Sequence, residues 1–140
     1  MIAPQSLTYY IGSSVGVYNT DARHGVYAWD PALEIAVYGE STSKANARIR
    51  FEKLSTDNGL YSSELSECYC LSSSYSNITL WHDFPELTAD KEQKEVLAHE
   101  VGHSLGLKHE DDVPSIMYET KLLGSIYPTA DDWAGIRARY

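Results

Sequence analysis

Apolar and polar positions divide the chain into short alternating and periodic stretches. "LTYYIG", from Leu7 to Gly12, reads as a first strand. From Ser14 onward, Val15, Tyr18, Ala22, Val26 and Trp29 recur at spacings of three and four, which gives a helix one apolar face. Pro31 stops that helix, and Gly16 and Gly25 weaken it. "LEIAVYGE", from Leu33 to Glu40, reads as a second strand. In "ANARIRFEKL" the residues Ala47, Ile49 and Phe51 alternate with Arg48, Arg50 and Glu52, so this strand has one buried and one wet face. Ser55 to Ser76 turns to Ser, Asn, Gly and Tyr, a long loop with room for one short strand around "ECYCL". "NITLW", from Asn77 to Trp81, is a further strand. A second helix follows "PELTAD", with Asp90 as expected N-cap, Gln93 at the capping-box position, and Val96, Leu97, Val101 and Leu105 as its buried stripe. A third starts at Thr129, with Asp131 and Asp132 in its first turn and Trp133, Ile136 and Tyr140 on one side. The order predicts an α+β fold, three helices packed on a small twisted mixed sheet.

Length and charge narrow the class. The chain has 140 residues, enough for one domain, 1–140, with a core, and three Trp and eleven Tyr to fill it. A formal net charge of −9 argues against nucleic acid, whose phosphates would be repelled. No apolar run approaches the roughly 20 residues of a membrane span. A monomer that engages neither nucleic acid nor membrane is expected. "MIAPQSLTYY" lacks a basic segment followed by a long apolar run, so it is not read as a secretory signal. Either the protein is made without one, or a leader was removed before this domain. Cys68 and Cys70, two apart, read as free thiols rather than a bridge.

The chemistry concentrates in "LAHEVGHSLGLKHEDDVPSIMYE", Leu97 to Glu119. His99 and His103 stand four apart on the second helix, so both imidazoles leave the same face. Such a pair can hold zinc at about 2.0–2.1 Å per nitrogen. Gly106 tolerates the left-handed conformation that ends a helix, and His109 then returns from another direction. Three converging imidazoles leave the fourth corner of a tetrahedron open, the mark of a catalytic zinc. Glu100 points about 100° away from His99 around the helix and reaches toward that corner without ligating. Zinc acidifies a bound water and polarises a carbonyl, and an adjacent carboxylate can carry the proton to a leaving amine. Peptide-bond hydrolysis without a covalent intermediate is the natural outcome. Five fixed residue types in eleven positions arise by chance in fewer than about one chain in ten thousand.

"HEVGHSLGLKH" fits His-Glu-x-x-His-x-x-Gly-x-x-His throughout, and the chain here resembles the metzincin metalloproteases. "PSIMYE" is similar to their methionine turn. The short gap from His109 to Met117, Tyr118 next to it, and Asp112 three after His109 resemble the matrixin branch, as does "YPTADDWAGIRARY". The resemblance is tight from about Asp90 to Tyr140. It implies a metzincin-like zinc protease domain with an active-site helix and a methionine turn. His99, His103 and His109 would be the ligands of one catalytic zinc, Glu100 general base and then acid, Met117 the floor and Tyr118 an S1′ wall. Asp132 would bind the methionine turn and Asp131 would meet the N-terminus. The resemblance also implies secretion and a protein or peptide substrate lying extended, with "SNITLW" as the edge strand it adds to.

Departures are equally visible. Glu110 follows the third histidine where matrixins usually have Ser, and Glu119 stands where they usually have Pro. No counterpart of their structural zinc and calcium loop is evident, nor a propeptide with an inhibitory cysteine. Calcium has no clear motif; "TDNG", Thr56 to Gly59, reads as a plain turn. His24 reads as a capping or solvated residue, and His82 lies at the margin of the substrate region. Asn77-Ile78-Thr79 matches a glycosylation acceptor but is common by chance. The leading expectation is a zinc endopeptidase. The alternative is a catalytically silent, zinc-holding peptide-binding module; Glu119 favours it and retention of Glu100 opposes it.

Overall fold

The structure, a computed structural model, describes residues 5–66 and 75–140. Five strands form one sheet in the order β2-β1-β3-β5-β4. They are β1 (Gln5–Ile11), β2 (Ile35–Glu40), β3 (Ile49–Lys53), β4 (Ser62–Ser66) and β5 (Ser76–Leu80). The β1–β2, β1–β3 and β3–β5 pairings are parallel, and β4 runs antiparallel to β5. Three α-helices, α1 (Asn19–Tyr27), α2 (Asp90–Ser104) and α3 (Ala130–Arg139), complete the α+β fold.

Strand alternation decides which side chains form the core. Leu7 and Tyr9 of β1, Ile49 and Phe51 of β3, and Ile78 and Leu80 of β5 are buried. They belong to the same cluster as Ala22, Val26 and Trp29 from the α1 region and Leu97, Ala98 and Val101 of α2. Each fully buried Leu, Ile or Phe contributes about 1.5–3 kcal/mol. The Trp29 indole N–H donates to the Ala98 carbonyl at 3.0 Å, so the largest core side chain also fixes α2 in place. Trp133 and Tyr140 of the α3 segment pack on the cluster beside buried Ile136, as their spacing predicts.

Four expectations are corrected. The helix expected from Ser14 is broken: Ser13–Tyr18 forms tight turns with Gly16 at φ 56°, ψ −126°, and only Asn19–Tyr27 is α-helical. Those angles suit a residue without Cβ and interrupt the helix that the apolar spacing suggested. The serine-rich loop contains β4. The "SNITLW" segment is not an edge, because β5 is paired to β3 on one side and β4 on the other. Within the described residues the edge strand on this side is β4. Asp90 is not the N-cap of α2. Ala89 holds that position, its carbonyl accepting from Glu92 and Gln93 N–H, while Asp90 pairs with Lys94 and the Gln93 amide donates to the Leu87 carbonyl. Cys68, Cys70 and the strand expected at "ECYCL" lie outside the described residues, as does the N-terminus that Asp131 was expected to meet.

Candidate metal centre and active site

Helix α2 carries His99, Glu100 and His103 and ends where the third histidine must be reached. The Gly106 N–H donates to the His103 carbonyl at 2.8 Å and the Leu107 N–H to the Gly102 carbonyl at 2.9 Å. This is the paired closure of a helix whose next residue is left-handed, and Gly106 has φ 92°. A Cβ at Gly106 would also lie 2.1 Å from Arg139 Nε. The chain turns there and brings in His109.

The three rings converge through their Nε2 atoms. His103 Nε2 lies 3.1 Å from His99 Nε2 and 3.1 Å from His109 Nε2. Two nitrogens bound tetrahedrally to zinc at about 2.0–2.1 Å would be roughly 3.3–3.4 Å apart. His99 Nδ1 sits 2.7 Å from the Ile116 carbonyl and His103 Nδ1 2.8 Å from the Leu107 carbonyl. A carbonyl only accepts, so both Nδ1 atoms carry hydrogen and donate. In the neutral rings both Nε2 atoms then present lone pairs toward each other. Burial pushes His99 down to about 4 and lowers His103 as well, so the rings are neutral near pH 7. Facing lone pairs at 3.1 Å call for a cation between them, and imidazole nitrogens suit zinc. The donor set therefore fits the metal.

The turn carrying Met117 is tied to both α2 and α3. Asp132 is 3% exposed. Its Oδ1 accepts from the Ser115 hydroxyl at 2.5 Å, and its Oδ2 accepts from Ile116 N–H at 3.1 Å and Thr129 N–H at 2.7 Å. Thr129 caps α3 through a reciprocal bond from Asp132 N–H. One carboxylate thus fixes the start of α3 and the Ile116 peptide, and the Ile116 carbonyl orients His99. Met117 is buried, its N–H donating to Ser115 Oγ at 2.8 Å, and its carbonyl accepts from Glu110 N–H at 3.0 Å. Gly102 leaves room for it: a Cβ there would lie 2.5 Å from Met117 Sδ.

Glu100 is 7% exposed, and Ser62 of β4 donates its hydroxyl to Oε1 at 2.9 Å. Burial pushes its carboxyl up to about 7; the Ser62 bond opposes that rise and the Glu64 charge adds to it. A carboxyl balanced between its two forms near neutrality is suited to taking and returning a proton. Beside Glu100 and His99 opens a cavity of about 430 Å³. Tyr118, half-buried, lines it with Leu60, Val96, Ile116 and Leu122.

Two histidines stay apart from this cluster. His24 Nε2 meets the Ile126 carbonyl at 2.7 Å. His82 is exposed and pairs with Asp83 at 2.8 Å. Asp57 and Asp83 can approach His82 to within 4.8 Å, but Asp57 Oδ1 also accepts from Gly59 N–H, the geometry of a plain turn. Sequence reasoning missed Ser62, hidden in a serine-rich stretch with no distinguishing signal. It also missed Glu92 in the cavity wall, although Glu92, Val96 and His99 share one helix face by spacing alone.

The helix with two histidines, the glycine turn to the third and the methionine turn beneath them define the metzincin class. Within it, the chain belongs to the matrixin family, whose family model matches residues 5–140. The interstitial collagenase of Aquarana catesbeiana is 50% identical over 40 residues, covering 29% of this chain and 10% of that protein. The interstitial collagenase of Oryctolagus cuniculus is 46% identical over 46 residues, covering 32% of this chain and 10% of that protein. The aligned stretch thus spans a tenth of the length of the curated relatives it matches. The matrixins are a family of zinc-dependent metalloproteases, and this chain carries the family's fold with a three-histidine cluster. No helix among the described residues is long and apolar enough to cross a membrane.

Proposed function

We propose that the chain is a zinc endopeptidase in which His99, His103 and His109 hold the metal and Glu100 is the proton carrier. The observation that carries this reading is the convergence of three Nε2 atoms, with the His99 and His103 rings held at Nδ1 by backbone carbonyls and the buried Glu100 carboxylate alongside. Zinc bound there supplies a Lewis acid and an acidified water. Glu100 takes a proton from the attacking water on its face of the site and returns it to the leaving amine. Ser62 holds one oxygen of Glu100 and leaves the other to do this work. The Ile116 and Leu107 carbonyls keep the His99 and His103 rings in the tautomer that ligates. Asp132 and Met117 keep the turn beneath them in place.

A substrate would lie extended along the outer edge of β4, adding a strand to the sheet, with the side chain after the scissile bond entering the cavity between α2 and Tyr118. Protein or peptide substrates, and secretion, are proposed on the family's account. The test is digestion of a peptide library by the zinc-loaded protein beside Glu100→Ala, read by mass spectrometry. Cleavage by the first and not the second is expected. One bound zinc with no cleavage by either would overturn the reading in favour of a silent peptide-binding module.

A further inference from the structure

The cavity beside the metal centre has an apolar barrel and an acidic wall. Leu60, Leu87, Val96 and Leu122 line its sides, and Glu92 and Glu119 supply carboxylates. Glu92, Val96 and His99 follow at i, i+4 and i+7 on α2, so the Glu92 backbone position lies about two turns, roughly 10 Å, along the helix from His99, and its side chain lines the same cavity. Among the described residues neither Glu92 nor Glu119 has an ion-pair partner. Lys121 also lines the cavity, with its ammonium 4.4 Å over the Tyr118 ring.

The outer wall is held in place. Glu95, 2% exposed and next to Val96, accepts from Leu123 N–H at 2.7 Å and Gly124 N–H at 2.8 Å. That clamp ties the end of the Tyr118–Leu122 segment to α2, so the two walls keep their spacing.

Resting on the endopeptidase reading, we infer that the cavity selects a long basic side chain, Lys or Arg, directly after the scissile bond, with Glu92 as the specificity-determining residue. The aliphatic stem of Lys or Arg covers the apolar barrel while the charged head reaches the far carboxylate. An uncharged Leu fills the near part and leaves Glu92 in water. An acidic side chain meets Glu92, Glu119 and Glu100 together. A carboxylate deep in a specificity pocket selects basic residues by the same physics in serine proteases.

The test uses peptides of one sequence that differ only at the residue entering the cavity: Lys, Arg, Leu or Glu. Zinc-loaded wild type and Glu92→Gln are compared by kcat/KM. The same peptides are titrated calorimetrically into zinc-loaded Glu100→Ala and the double variant Glu92→Gln/Glu100→Ala, which reads the cavity without turnover. Glu92 is half-buried and has no ion-pair partner among the described residues, so the isosteric change leaves the fold intact, checked by thermal melting. Lys and Arg should exceed Leu by about tenfold in both readouts, and Glu92→Gln should cut that advantage to about twofold while leaving Leu unchanged. Leu equal to or better than Lys, or a Lys preference that survives Glu92→Gln, overturns the inference with the endopeptidase reading intact. Basic peptides that bind through Glu92 but are never cut overturn the endopeptidase reading and keep the inference. Peptides neither bound nor cut overturn both.

Discussion

Removing Asp132 should damage both the fold and the metal centre, and the size of each effect follows from its hydrogen bonds. Asp132→Ala leaves the Ser115 hydroxyl, the Ile116 N–H and the Thr129 N–H without their acceptor. A buried donor without a partner costs about 1–3 kcal/mol. Ser115 can rotate, and half-buried Thr129 can reach water, so the expected total is about 3–4 kcal/mol, near the lower part of the range for three donors. In a domain of this size that lowers Tm by about 10 °C. Asp132→Asn keeps an oxygen for the two backbone donors and can donate to Ser115, so it should cost only about 1 kcal/mol. Asp132→Ala also frees the Ile116 peptide whose carbonyl orients His99, and loss of such an outer contact weakens zinc binding about 10- to 100-fold, whereas Asp132→Asn, which keeps that acceptor, should weaken it less. Urea unfolding of the zinc-free proteins measures the first effect and competition with a chromogenic chelator the second. An Asp132→Ala protein within 1 kcal/mol of wild type, with unchanged zinc affinity, would refute the chain of contacts from α3 to His99.

Other substitutions probe separate parts of the account. Gly102→Ala places a Cβ 2.5 Å from Met117 Sδ and 3.0 Å from Trp29 Cζ2, so it should destabilise by about 1–3 kcal/mol in thermal melts. Asp21 is buried with Oδ1 lacking a hydrogen bond, and burial, with Asp90 beside it, pushes its carboxyl from 3.8 up to about 6 despite Lys94 at 3.5 Å. The folded state therefore holds that proton more tightly than the unfolded chain, and the stability it adds below about pH 3.8 is lost as pH rises through about 6. Asp21→Asn should match wild type near pH 4 and exceed it by about 1–2 kcal/mol at pH 7 in denaturant titrations; a less stable variant at pH 7 would contradict this. Ser62→Ala removes a donor to the charged form of Glu100, which then holds its proton more strongly, so the acid limb of the kcat/KM profile should move to higher pH.

The parts governed by local spacing were legible in the sequence. The i, i+4 histidines must share a helix face, Gly106 must be free to turn left-handed, and a helix must start at Thr129 with Asp131 and Asp132 in its first turn. The parts governed by tertiary pairing were not. "SSELS" of β4 has almost no apolar alternation, because the strand is held by its antiparallel bonds to β5 and by serine and glutamate contacts such as Ser76 to Glu64 at 2.6 Å. With β4 hidden, β5 looked like the edge. The break at Gly16 was signalled only by the glycine itself, since the apolar spacing from Val15 to Val26 continues across it. Asp90 carries an N-cap side chain, yet Lys94 one turn on draws its carboxylate away from the helix end.

Everything proposed for the site depends on the three imidazoles holding one metal ion. The most direct measurement is the zinc content of the purified protein together with X-ray absorption at the zinc edge, for wild type and His103→Ala. One zinc per chain with three imidazole nitrogens at about 2.0–2.1 Å, and loss of that metal in the variant, is the predicted result. A wild-type protein that binds no zinc, or one whose zinc environment is unchanged by His103→Ala, would contradict the account.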